Sequence, residues 1–222
     1  MSDKRITARV FHQSDGVDDW RVLPWGACAY FTTGSFTAGA RFVAAVAEVA
    51  ETVGQFPDID LRPEGVTIRT FSRRDGALGE GDVELARRVS ARARDMGVRA
   101  DPSQVQTVGI AIAQDAGADV RSFWAAALGY EYLGDEDAVD PHRRNPHLWF
   151  HELKPPKPGR GRVHIDVGVP ADHAESRVAA ALAAGGRIVD DSHAPDWWTL
   201  ASPENHGVDI AAWPDSEDYD WD

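Results

Sequence analysis

Hydrophobic spacing sets the first expectations. From Trp20 to Gly34 the run WRVLPWGACAYFTTG is rich in aromatic and β-compatible residues broken by Pro and Gly, which predicts strand, turn, strand. The period then changes. In SFTAGARFVAAVAEVAETVG, Phe42, Val46, Val49 and Val53 recur at helical spacing, Ser35 can cap the start, and Gly54 followed by Pro57 closes the end. GVTIRTF (65–71) returns to alternation and reads as a strand. After the turn-rich SRRDGALGEG, DVELARRVSARARDMG reads as a second helix, with Asp82 at its N-cap, Leu85, Val89 and Met96 on its buried face and Gly97 at its end. This order predicts an α+β unit, an antiparallel sheet with helices on one face.

Polar, Pro-containing VRADPSQVQ then separates a second series. TVGIAIAQD reads as a strand, DVRSFWAAALGY as a helix and NPHLWFHEL as a strand, followed by the Pro/Gly/basic loop KPPKPGRGR. VHIDVGV is a strand, AESRVAAALAAGG a helix, and RIVDD, WWTLASP and GVDIAAW three more strands. Strand, helix and strands therefore recur over 107–153 and 162–213, an internal repeat of about fifty residues. The expected organisation is a first domain over 1–98, a link over 99–106, a second domain over 107–214 and a solvated acidic tail over 215–222.

Composition narrows the function classes. The chain has 222 residues, a formal charge of −13 and a hydrophobic fraction of 43%, enough for two cores and unsuited to phosphate backbones or anionic membrane surfaces. One cysteine, Cys28, excludes an internal disulfide and a Cys-based zinc cluster. The N-terminal MSDKRITARVFHQSD has no apolar core of signal-peptide length, so the expected location is cytoplasmic. No P-loop, G-x-G-x-x-G, G-x-S-x-G or H-E-x-x-H motif occurs.

Residues 20–97 resemble the pterin-4a-carbinolamine dehydratase family, through the Phe and Ala-Glu pattern of 36–51, PDID at 57–60, GVTIRT at 65–70 and GAL followed by D-x-x-LA at 76–86. The resemblance implies removal of water from a 4a-hydroxy-tetrahydropterin by histidines acting as general acid and base. The family motif places His-His before the Pro and a third His in the loop before GL. Here those places hold Gln55, Phe56 and Arg73. Glutamine and phenylalanine do not titrate, and arginine keeps its proton. Glu51 and Asp82 match acidic positions of the family, and each also reads plainly as a solvated helix carboxylate or a cap. The site is therefore expected to be degenerate. Arg73 and Arg74 could hold an anion and Phe56 could stack on a flat ring, or the corner could serve as a protein-contact surface. The resemblance also implies a homodimer or higher homo-oligomer.

Residues 107–213 resemble the glyoxalase-like branch of the vicinal-oxygen-chelate superfamily, through FWAAALGY, LWF, GRVHIDVGVP, AALAAGGRIV and WWTLASPENHGVDI. This implies paired βαβββ modules forming a cupped sheet around a ligand cavity. Metal-binding relatives place ligands on four strands; the corresponding candidates are His164, Asp209 and, at the end of the first module, His151 or Glu152. The fourth position falls near Val108 or Gly109, which offer no side-chain ligand. No metal or other cofactor is required by this reading, and any divalent metal would use His164, Glu152 and Asp209. Otherwise His164 and His151 are the acid/base candidates, with Glu152 and Asp209 orienting them. Trp149, Trp197 and Trp198 are candidates for a flat ligand's cradle, as is His206 at the mouth, while His142, His147 and His193, in or beside Pro-containing loops, read as solvated.

The two resemblances together point to a small-molecule enzyme of carbon–oxygen lyase or glyoxalase-like lineage acting on a planar or cyclic metabolite. The competing reading is a non-catalytic binder of a metabolite, an antibiotic or a protein partner.

Overall fold

The computed structural model describes residues 5–72, 76–114, 120–152, 163–201 and 207–212, which divide into two compact units, one up to Val105 and one spanning Gln106–Ala212. In the first, β1 (Arg5–Ile6) and the short α1 (Ala8–His12) precede β2 (Arg21–Leu23), β3 (Gly26–Thr32) and α2 (Phe36–Val53). Then follow β4 (Asp58–Leu61), β5 (Gly65–Thr70), β6 (Leu78–Gly79), α3 (Glu80–Asp95) and β7 (Arg99–Ala100). The antiparallel sheet runs β2-β3-β5-β4, β7 adds to β3, and β1 pairs with β6.

Ser35 caps α2 by accepting the Ala38 N–H, and Gly54 ends it in the left-handed conformation that favours glycine. Phe42 and Val46 of α2 and Leu85 and Val89 of α3 are buried against Phe31, Val66 and Ile68 of the sheet. Phe31 and Phe42 meet edge to face at 5.0 Å, and the Trp20 indole donates to Ser90 Oγ at 3.1 Å, so these two buried polar groups satisfy one another. Two expectations change. Residues 99–104, expected as a link, carry β7 and a 3₁₀ turn, and the Asp101 N–H donates to Tyr30 O, tying them to the first unit. Asp82 is the third residue of α3, not its N-cap; Gly79 holds that position.

The second unit starts with β8 (Thr107–Gln114), α4 (Arg121–Leu128), β9 (Glu131–Leu133), β10 (Asp137–Val139) and β11 (His147–Glu152). The second module repeats the order with β12 (Val163–Val169), α5 (Ala171–Ala183), β13 (Arg187–Asp190), β14 (Trp197–Ala201) and β15 (Gly207–Ala212). One sheet of order β13-β14-β15-β12-β8-β11-β10-β9 results, with β8 and β12 antiparallel at the centre and each module closed by a parallel pair. This is the paired βαβββ architecture. Leu148 and Phe150 pack with Trp124 of α4, and Val169, Trp198, Leu200 and Ile210 pack with Ala174 and Val178 of α5. The helices therefore cover one face of the sheet, and the alternate residues of each strand face the other way. Among the described residues no helix is long and apolar enough to cross a membrane.

Candidate functional site

Strand alternation assigns the side chains of the uncovered face. On β12 His164 and Asp166 have the opposite parity to the partly buried Val167 and the buried Val169, and on β15 the residue beside buried Ile210 is Asp209. Asp166 and Asp209 are register partners across the parallel β12–β15 pair. His164 Nε2 lies 3.1 Å from Asp166 Oδ1 and 3.2 Å from Asp209 Oδ2. The two carboxylates push His164 up to about 10, Asp166 first and Asp209 second, against the opposing effect of burial. Gly207 gives His164 its room, since a Cβ there would stand 3.3 Å from the His164 Cβ.

The same face continues on β11. Trp149 and His151 alternate with buried Leu148 and Phe150, and their rings stack at 4.6 Å. His151 then meets His164 edge to face at 6.0 Å, so the two modules contribute adjacent imidazoles. His151 Nε2 and Asp209 Oδ1 are buried atoms with no hydrogen-bond partner. Unsatisfied buried polar atoms cost on the order of 1–3 kcal/mol each, and a ligand that pairs with them recovers that cost.

Whether these residues fit a metal can be tested on the donor set. One atom from each of His164, Asp166 and Asp209 lies within 4.8 Å of the others, and Asp209 retains an unpaired oxygen. One imidazole and two carboxylates suit a divalent ion such as Zn²⁺ or Mn²⁺ with open positions. The set fits, with Asp166 in place of the expected Glu152. Glu152 shares the parity of Leu148 and Phe150, so its side chain leaves the strand on the opposite face from His151. Trp198 is corrected for the same reason: it is 9% exposed in the α5 core, and only Trp197, stacked on His193 at 4.0 Å, takes the other face. His147, expected to be solvated, is half-buried. It begins β11, and Gly109 makes room for it, because a Cβ at Gly109 would collide with its imidazole. His206 lies outside the described residues.

In the first unit the candidate residues are brought into a different arrangement. Asp82 is 1% exposed. Its Oδ2 accepts the Gly79 N–H at 2.8 Å, and its Oδ1 accepts both the Thr70 hydroxyl and the Gln55 amide, the latter at 2.6 Å. That carboxylate is saturated, and it closes the first turn of α3. Gln55 is the residue that ties the helix-end corner to it. Phe56 is 60% exposed and Glu51 faces solvent. His12, the single histidine before residue 142, accepts the Val22 N–H through Nε2. Arg73 and Arg74 lie outside the described residues, so the anion-binding expectation has no geometry attached.

Two further residues escaped the sequence reading. Asp166 was signalled by its two-residue spacing from His164, which strand alternation places on one face. Asp137 on β10 is the register partner of Trp149 and so shares its face. Burial, and secondarily the Glu136 charge, push its carboxyl up to about 7.

Comparison with known proteins agrees with this division. Residues 1–92 match the family described as Pterin 4 alpha carbinolamine dehydratase, and residues 109–211 match the Glyoxalase-like domain family. A protein of Nocardia farcinica (strain IFM 10152) named "Putative pterin-4-alpha-carbinolamine dehydratase" is 42% identical over 60 residues. That match spans 27% of this chain and 63% of the relative's length. The chain thus joins a dehydratase-like region to a glyoxalase-like one, both of small-molecule enzyme or binding lineages.

Proposed function

We propose that this chain is a small-molecule enzyme whose chemistry resides in the glyoxalase-like sheet, while the dehydratase-like region retains its fold without the family's proton-carrying histidines. The observation that supports it is the placement of His164 between Asp166 and Asp209, with the unpaired His151 one ring contact away. The substrate class is a planar or cyclic metabolite, for which the 37% exposed Trp149 indole offers a flat surface.

The residues divide the work by their partners. His164, held by two carboxylates, is fixed in orientation and presents a hydrogen-bonding or cationic group toward a substrate oxygen. His151 has an unpaired ring nitrogen and is the group able to take or return a proton. A divalent metal, when bound at His164, Asp166 and Asp209, would supply Lewis-acid polarisation of the same oxygen. In either form the reaction class is lyase or isomerase chemistry that moves one proton at a carbon or nitrogen beside a polarised oxygen.

The test compares wild-type and His164→Ala protein in a metabolite extract by mass spectrometry, with bound metal quantified. A metabolite consumed by the wild type and spared by the variant supports the proposal. A metabolite that co-purifies or binds without being consumed would favour the competing reading, a non-catalytic binding protein.

A further inference from the structure

The face of the sheet left uncovered by the helices has a second polar pole. Asp137 stands across the Trp149–His151 stack from His164: it pairs in register with Trp149, which pairs with Ala111, which pairs with His164. Its Oδ1 is buried without a partner, while the residue as a whole is half-buried. Among the described residues the one charge that acts on it is the acid Glu136, and the Arg143 guanidinium on the β9 side is held by Glu131, the register partner of Val139. Leu133, its register partner on β9, is apolar and buried, and Glu136 beside it is a second acid, 3.5 Å from the Trp149 indole nitrogen. His151, two residues beyond Trp149, is the other titratable neighbour on β11. On the opposite face Arg121 of α4 is taken up by the Asp135 carbonyl and the Tyr132 ring.

A carboxylate kept from water, next to another carboxylate and facing an exposed indole, is a poor structural element and a good receptor. It lacks N–H donors and positive charge, and a flat surface lies beside it for the group that brings them. We infer that Asp137, with Trp149 and His151, forms a subsite for the amidine-like, N–H-bearing edge of a flat cationic nitrogen heterocycle. The planar edge lays two N–H groups on the two oxygens of Asp137 while its ring lies along Trp149. At the far pole the His164 imidazole is already held by Asp166 and Asp209, so the acidic end of the face is the one at Asp137, and an anionic ligand of the same shape is disfavoured there. This inference rests on the proposal that the glyoxalase-like face is the ligand site.

The experiment titrates the full chain calorimetrically with benzamidine, and with benzoate as its anionic isostere. Benzamidine should bind at least about tenfold more tightly than benzoate. Asp137→Asn should weaken benzamidine about tenfold without weakening benzoate, while Asp209→Asn changes benzamidine less than about threefold. Because the ionised carboxylate takes the amidine, affinity should rise from pH 5 to pH 8 in the wild type and stay level in Asp137→Asn. Equal binding of the two probes, both lost in Trp149→Ala, would overturn the acceptor subsite and leave the ligand face standing. So would a preference that survives Asp137→Asn. Failure of both probes to bind, or benzamidine binding indifferent to Trp149→Ala, would overturn the subsite and count against the ligand face as well.

Discussion

Each half of the molecule removes aspartate oxygens from water, and the halves differ in what is given back. In the dehydratase-like unit Asp82 receives a backbone N–H, a hydroxyl and an amide, so its charge is spent on holding the head of α3. In the glyoxalase-like unit Asp137 and Asp209 each keep a buried oxygen with no partner, and His151 keeps a nitrogen. The first arrangement is complete without a ligand. The second is incomplete, and a folded protein tolerates such a deficit mainly where something binds. The contrast is what the proposed separation of dehydratase resemblance from chemistry rests on: Gln55, at a place where the resembled family's motif has histidine, donates to Asp82.

Four substitutions sharpen or break this contrast. The largest effect is expected for His164→Ala, which should lower turnover of whatever metabolite the wild type consumes by a factor of about 10²–10⁴ while circular dichroism shows the fold intact. Next, Asp82→Ala strands the Gly79 N–H, Thr70 and Gln55 groups and should cost about 3 kcal/mol in urea unfolding, with benzamidine affinity unchanged. Loss of ligand binding there, with stability kept, would reverse the roles of the two units.

Asp137→Asn should act on stability with a definite pH dependence. The carboxyl is raised from 3.8 to about 7, so between these values the folded state holds a proton that the unfolded chain has released. Wild-type stability therefore falls as pH rises through this window and levels above it. At about 1.36 kcal/mol per pH unit, discounted for partial exposure, the variant should be more stable by about 2 kcal/mol at pH 8 and show no gain at pH 4. Thermal melts at the two pH values check it, and an equal gain at both would remove the buried-charge explanation. The smallest effect belongs to Phe56→Ser, where a 60% exposed ring should change stability by less than about 0.5 kcal/mol. A large loss would mean that the corner is an interface.

The sequence made the long elements legible and the short ones not. α2 and the strands around His164 carry enough periodicity to be read, and the repeat exposed the paired modules. β9 and β10 are three residues each, joined across Gly134 in an acidic stretch, and too short to show alternation. Missing β10 meant missing Asp137. The edge strand β4 was hidden in the same way, since DIDL mixes acids and aliphatics. The errors at Glu152 and Trp198 have one cause: each is a single residue from a site member, and a strand turns neighbours to opposite faces. Alternation applied from His164 reaches Asp166 and would have replaced Glu152. Which atoms lack partners was never legible, because that depends on strands brought together across the whole sheet.

The central claim is that chemistry has left the dehydratase-like corner. The direct measurement is 4a-carbinolamine dehydration by the purified full chain against the uncatalysed rate, with the His164→Ala variant run in parallel. The account predicts a rate for the wild type indistinguishable from background. A rate well above background that survives His164→Ala would contradict it and return the active site to the corner around Glu51 and Asp82.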